Sequence, residues 1–165
     1  MRIAVTGTPG VGKTYLCKKI SNISGLRHLE VLEFAKKFGF ISKMENENTL
    51  IIDEERLQKK FKEMNDILID SHFSEIFDVD LVIVLRCEPI TLFKRLKERR
   101  YDEKKLKENV LSEMLDYNLF NALRYHREED IFEILNYDMK ETISEALQIL
   151  KNPKEAKSLK HGSKC

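Results

Sequence analysis

Residues 6–15 read TGTPGVGKTY and follow directly on the apolar run Ile3-Ala4-Val5. From Gly7 to Thr14 the stretch fits G-x-x-x-x-G-K-[ST]. Glycines let a backbone wrap with its N–H groups turned inward. A helix that begins near Lys13 adds the positive end of its dipole to the same concavity. The pattern is that of a polyphosphate cradle, in which Lys13 reaches the β- and γ-phosphates and the Thr14 hydroxyl binds Mg²⁺. A chance match is the alternative. The position of this one, between a strand pattern and a helix pattern, is what the mechanism demands.

Working outward, Arg2–Thr6 reads as a buried parallel strand. Lys13–Ser24 shows helical spacing, with Leu16, Ile20 and Ile23 on one face and Gly25 as the closing residue. Further strands are expected at Leu29–Val31, Ile67–Asp70, Leu81–Arg86 and Asp130–Leu135. Helices are expected over Glu33–Phe38, from the Asp53 N-cap to about Asn65, from Pro89 to about Arg99, from Lys104 to Tyr125, and over Met139–Leu150. Gly39–Asn48 reads as a polar, irregular loop, and Asn152-Pro153 as the end of the ordered part. Strands that alternate with helices specify an α/β fold: a five-stranded parallel sheet with helices on both faces, in three layers. Ligands in such folds bind at the carboxyl ends of the strands.

Two further groups fall at that edge. Ile67-Leu-Ile-Asp70 is an apolar run that ends in an acid, which in a phosphate-loop fold can hold Mg²⁺; a strand-end cap is the plainer alternative. His72 leaves the same strand end, where it could orient an attacking water, or lie in a loop without a role. The segment Arg95–Lys105 is dense in cations. It could close over a nucleotide, or form a solvated face paired with Glu98, Asp102 and Glu103. Arg86 points towards the same edge and reads as local packing rather than a catalytic group.

Composition sets the limits. The 165 residues are 42% apolar, enough for one core and too apolar for a largely disordered chain. The formal net charge of +1 argues against a general polyanion binder. Residues 151–165 hold five lysines against one glutamate, while residues 1–150 carry 24 basic and 27 acidic residues. The tail is therefore expected to be basic and disordered, with rRNA contact as its functional reading. Cys17, Cys87 and Cys165 have neither metal nor redox spacing, which fits a reduced compartment and a cytoplasmic protein. No signal peptide and no membrane-spanning run is visible.

Taken in order, TGTPGVGKT, LIIDEERL at 50–57, ILIDSH at 67–72 and VIVLRCEPITLFKRLKERRYDEKKLKENV at 82–110 resemble the adenylate kinase isoenzyme 6 family. These are small atypical phosphate-loop nucleoside monophosphate kinases that also serve as ribosome-assembly ATPases, and the chain reads as an archaeal member. The resemblance covers roughly residues 1–150. It implies a P-loop NTPase fold forming one domain, with a monophosphate-binding segment at about 30–52 and a lid at about 98–108. It implies that Gly10, Val11, Gly12, Lys13, Thr14 and Tyr15 contact ATP. Arg99 would be the nucleotide-contacting arginine of the lid, Lys13, Asp70, His72 and Arg99 the catalytic set, and Thr14 and Asp70 the Mg²⁺ ligands. Lys36 stands where the family often has a monophosphate-binding arginine, and lysine cannot make the bidentate contact. Arg99-Arg100-Tyr101 stands where Arg-Gly-Tyr is common, which would stiffen the hinge.

Three functions follow. The first is a broad-specificity monophosphate kinase that turns ATP and AMP into two ADP and also hydrolyses ATP, in late maturation of the small ribosomal subunit and its rRNA. The second is an ATP-driven assembly switch with little AMP kinase activity. A platform ribosomal protein and the pre-ribosomal small subunit are the partners that the resemblance implies. The third is a kinase for another small metabolite, such as shikimate. A monomer is the expected state.

Overall fold

The computed structural model describes residues 1–43 and 50–156. In chain order it contains β1 (Arg2–Thr6), α1 (Lys13–Ser24), β2 (Arg27–Glu30), α2 (Val31–Phe38), β3 (Ile41–Lys43), β4 (Leu50–Ile52) and α3 (Glu54–Lys62). There follow β5 (Ile67–Asp70), β6 (Leu81–Arg86), α4 (Pro89–Glu98), α5 (Glu103–Met114), α6 (Tyr117–Tyr125), β7 (Ile131–Leu135) and α7 (Met139–Lys151). One-turn 3-10 helices lie at Ser74–Ile76 and Glu128–Asp130.

The main sheet has the order β2-β5-β1-β6-β7, and every pairing in it is parallel. The central strands are apolar throughout because both faces are covered. Alternate side chains serve opposite layers. Ile3, Val5, Leu68, Ile83 and Leu85 enter one core with Leu16 and Ile20 of α1 and Ile149 of α7. Ala4, Ile67, Ile69, Val82 and Val84 enter the other with Leu57 and Phe61 of α3 and Ala122 of α6. Each fully buried Ile or Leu contributes about 1.5–3 kcal/mol relative to exposure. That is why the run Leu81–Leu85 tolerates no polar residue. This is the expected three-layer α/β fold.

After β1 the chain crosses to β2, whereas after β5 it crosses over β1 to β6. The two paths part beyond Thr6 and Asp70. The register Val5↔Asp70 sets those two strand ends side by side.

Several expectations change. The stretch 39–48 is not wholly irregular: Ile41–Lys43 pairs antiparallel with Leu50–Ile52, in the register Ile41↔Ile52. Residues 44–49 lie outside the described residues. The helix expected over Lys104–Tyr125 is two helices, broken at Asp116, which has φ +54°. The Arg86 guanidinium explains the break, because it takes both the Glu113 carbonyl (2.9 Å) and the Asp116 carboxylate. Order does not stop at Asn152-Pro153. Pro153–Ala156 continues in helical conformation, the Ala156 N–H donates to the Asn152 carbonyl at 3.1 Å, and Ala156 packs on the core. The remainder of the expected basic tail, 157–165, lies outside the described residues.

Candidate active site

The loop from Gly7 to Gly12 is built by glycines at positive φ. At Gly7 (φ +141°) an added Cβ would stand 2.2 Å from the Leu85 carbonyl oxygen, so the backbone of β6 occupies the space of a side chain. Gly12 caps α1 in the left-handed region with no side-chain cap bond, and the first turn carries no acid. The N–H groups of that turn are left for a ligand.

The Lys13 ammonium is folded inward, donating to the carbonyls of Gly7 (2.6 Å) and Thr8 (3.1 Å). Burial lowers its pKa from 10.5 to about 8, against the attraction of Asp70. A buried cation facing mainly carbonyls is a site prepared for anionic charge. The loop is braced from outside. The carbonyl of Val11 accepts from Asn136 (2.8 Å) and Arg95 (3.3 Å), and the Thr8 hydroxyl donates to Glu113 at 2.6 Å.

Beside the loop, Asp70 is 2% exposed. Its Oδ2 lies 3.0 Å from Nε2 of His28, which comes from the neighbouring strand β2. A cavity of about 730 Å³ joins the parts. Gly10, Lys13 and Thr14 line it from the loop, and Asp70 and His72 from the end of β5. Glu30, Leu32, Leu50 and Ile52 line it from the expected monophosphate segment, and Tyr101 and Lys105 from the expected lid. Burial, and then the nearby Lys13, lowers the His72 pKa, so the ring stays neutral at physiological pH and can accept a proton.

The loop carrying His72 is held by buried polar groups. Asn118 donates to the His72 carbonyl (2.8 Å) and to the Thr6 hydroxyl (3.2 Å), and the Thr6 hydroxyl donates to Glu75. Burial pushes the Glu75 carboxyl up, with the bonds from Thr6 and Asn118 working the other way.

Lys13, Thr14, Asp70 and His72 are thus brought together, with Gly10 beside them. Val11 is fully buried and offers its carbonyl to Asn136 and Arg95. Tyr15 is half exposed, under the Lys19 ammonium. Arg99 caps α4 on the surface and Lys36 pairs with Glu33 at 2.7 Å; neither lines the cavity. Arg95, expected in a cationic segment that closes over the nucleotide, instead braces the loop through the Val11 carbonyl, and His28, Glu113, Asn118 and Asn136 are site residues that the sequence does not signal. The contacts that tie them to the site span between 26 and 125 positions in sequence, and no local spacing signals them.

The chemistry of Thr14 and Asp70, a hydroxyl and a carboxylate lining one cavity, fits the oxygen ligands that Mg²⁺ requires. The buried cation and the open helix end fit a polyphosphate.

A parallel sheet with a phosphate loop after its first strand and an acid at the end of the adjacent strand defines a P-loop α/β protein. Shikimate kinase from Bacteroides thetaiotaomicron has the same fold, with a TM-score of 0.64 at 15% identity over 92% of this chain and 98% of that one. Deoxyadenosine kinase from M. mycoides with bound dATP also shares it, with a TM-score of 0.59 at 17% identity over 92% of this chain and all of that one.

Within that class, residues 3–116 match the family described as AAA domain. The chain is 35% identical to a Methanocaldococcus jannaschii protein named "Putative adenylate kinase", over 96% of this chain and 91% of that one. It is 40% identical to a Pyrococcus furiosus protein of the same name, over 81% and 74%. The chain belongs to this archaeal P-loop family, which accords with the resemblance noted in the sequence.

Proposed function

We propose that the chain is a broad-specificity nucleoside monophosphate kinase that converts ATP and AMP into two ADP and also hydrolyses ATP. The observation that carries this reading is the single cavity joining the phosphate loop, Asp70 and His72 with the 30–52 segment and with Tyr101 and Lys105. Residues 1–150 would act as one monomeric kinase unit, with an acceptor segment at about 30–52 and a lid at about 98–108. The names of the archaeal relatives favour adenylate kinase chemistry over the kinase of an unrelated metabolite.

The residues take these roles. The loop from Gly10 to Tyr15 binds ATP, and Lys13 neutralises charge on the β- and γ-phosphates. Thr14 and Asp70 would hold Mg²⁺, which when bound screens the phosphate oxygens. His28 orients Asp70. An AMP phosphate oxygen attacks the γ-phosphorus in line, and the bond from the γ-phosphorus to the bridging oxygen breaks, leaving ADP on each side. The AMP phosphate is largely ionised at neutral pH and needs no base to attack. Arg99 lies outside the cavity, so its role requires the lid to move; Lys36 likewise reaches an acceptor only after leaving Glu33.

A second reading, an ATP-driven switch, is favoured by His72. Water has a proton to lose where AMP phosphate has little, and a neutral imidazole in the cavity can take it. The proposed setting is late maturation of the small ribosomal subunit in the cytoplasm, with a platform ribosomal protein as partner and the basic tail on rRNA. A protein partner is supported by the exposed apolar side chains of Leu111, Met114, Leu115, Tyr117 and Phe120 on α5, α6 and their junction. Among the described residues no helix is long and apolar enough to cross a membrane.

The test incubates the protein with Mg·ATP and AMP and quantifies ADP and free phosphate together. Two ADP formed per ATP lost, with little phosphate, supports the kinase. One ADP and one phosphate with AMP intact refutes it in favour of the switch. In either case His72→Ala should lower phosphate release about 10²-fold or more, and where AMP is consumed the variant should spare ADP formation from it.

A further inference from the structure

Cys17, His28 and Asp70 come from α1, β2 and β5, and their ligand atoms all lie within 4.8 Å of one another. Among the described residues no other group of three such side chains gathers in this way. Cys17 is fully buried and Asp70 nearly so, while the His28 side chain keeps 15% exposure. The His28–Asp70 contact alone would be an ordinary hydrogen bond that orients a carboxylate. The thiol, one helical turn beyond Lys13 and Thr14, adds a soft ligand to a nitrogen and an oxygen.

This donor set is wrong for Mg²⁺, which takes oxygen ligands and keeps its waters. It suits Zn²⁺, which three protein ligands of mixed S, N and O type bind with a fourth position open. At Zn–S and Zn–N distances of about 2.3 and 2.0 Å, neighbouring tetrahedral ligands stand about 3.5 Å apart. The observed cluster therefore needs to contract by roughly an ångström at its widest pair. Asp70 also lines the nucleotide cavity, which gives an ion a way in.

We propose that Cys17, His28 and Asp70 form a site for a borderline-soft divalent cation, Zn²⁺ in particular, which withdraws Asp70 from the nucleotide site and switches off phosphoryl transfer. On binding, the Cys17 thiol releases its proton to solvent and no bond changes oxidation state. Mg²⁺ and Zn²⁺ are sorted by ligand chemistry: Thr14 and Asp70 for the first, Cys17, His28 and Asp70 for the second. Asp70 serves one or the other. The inhibitory consequence rests on the functional reading above, whereas the metal site does not.

The experiment titrates the full chain, stripped of metal and free of nucleotide, with Co²⁺ and then displaces it with Zn²⁺. The expected result is a thiolate-to-cobalt charge-transfer band with tetrahedral d–d absorption, at one ion per chain, lost on adding Zn²⁺. Cys17→Ala should remove the charge-transfer band. His28→Gln should weaken binding by about tenfold to a hundredfold. In a second arm, buffered Zn²⁺ is added to turnover with excess Mg·ATP, and each variant is compared with its own zinc-free rate. Wild type should be inhibited, and Cys17→Ala should need about tenfold more Zn²⁺ or greater. Absence of the band in wild type overturns the site, as does a band that survives Cys17→Ala. Equal zinc sensitivity of wild type and variant overturns the switch. A protein that shows the band but turns over no nucleotide even without zinc overturns the functional reading alone.

Discussion

Glu113 is a buried carboxylate on α5 with three partners: the Thr8 hydroxyl at 2.6 Å, Arg86 Nε at 2.8 Å and the Cys87 N–H at 3.1 Å. It ties the phosphate loop to the end of β6. Burial works against the charge on Arg86, and the hydrogen bonds it donates to Glu113 and Asp116 outweigh it, raising the guanidinium pKa. Glu113→Gln keeps the shape and the bond count. The amide oxygen can accept from Arg86 and Cys87, and the Thr8 hydroxyl can turn to accept from the amide. What is lost is the charge. Bonds to an ionised group are worth about 1.5–3 kcal/mol and neutral ones about 0.5–1.5. The expected cost is therefore about 2 kcal/mol, or a fall in Tm of about 4–8 °C for a chain this long. Glu113→Ala leaves Arg86 without its buried counter-ion and should cost about 3–5 kcal/mol. Thermal unfolding by circular dichroism reads both, and the KM for ATP should rise as Thr8 loosens. If Glu113→Gln moves Tm by less than about 1 °C, the half-exposed Asp116 and Glu133 suffice to hold Arg86 and the bracing role of Glu113 is refuted.

Nucleotide binding should take up protons. Lys13 in the free protein has a pKa of about 8, and a polyphosphate restores its charge. At about pH 8.5 ATP binding should draw in a fraction of a proton, and at about pH 6.5 Lys13 should contribute none. Calorimetry in two buffers of different ionisation enthalpy measures the difference. In the free protein the same lowered pKa means that the unfolded state binds more protons between pH 8 and 10.5, so the Lys13 contribution to stability rises with pH across that window. Arg100 sits at φ +56°, so Arg100→Gly should remove a penalty of about 1 kcal/mol and raise Tm by about 2–4 °C; a lower Tm would contradict this. Gly7→Ala should cost at least the roughly 1–3 kcal/mol of its backbone strain, with the clash on Leu85 in addition, and should abolish ATP binding while the other loop residues remain.

That the sheet is parallel and covered on both faces was legible because Ile3–Val5, Ile67–Ile69 and Leu81–Leu85 are unbroken apolar runs, which only strands covered on both faces can carry; the strand order is set by the packed fold. The β3–β4 pair was not, since Ile41 and Ile52 are separated by a polar stretch and neither strand exceeds three residues. The break at Asp116 was hidden for a different reason. Nothing in Lys104–Tyr125 interrupts the helical spacing. The cause is Arg86, in a strand 30 residues earlier, competing for a helix carbonyl and the Asp116 side chain.

The site divides along the same line. Lys13, Thr14, Asp70 and His72 were legible because each sits at a fixed offset from a strand end, and the strand register does the rest. Val5↔Asp70 alone brings the acid beside the phosphate loop. The groups that hold those residues were illegible because burial imposes a different demand. A buried carboxylate or carbonyl requires a partner, but not one from any particular place in sequence. Asp70 finds His28, Thr8 finds Glu113, Val11 finds Asn136, and the His72 carbonyl finds Asn118. The two departures in the family resemblance show the same contrast. Arg100 was marked from the sequence as standing in place of a hinge glycine, and its φ of +56° is a local geometry that glycine meets without penalty. The fate of Lys36 was not legible in that way, because it depends on Glu33 one turn earlier and on a cavity assembled from segments as distant as Lys105. Local backbone geometry announces itself in residue type, whereas the satisfaction of buried polar groups is decided only by the packed fold.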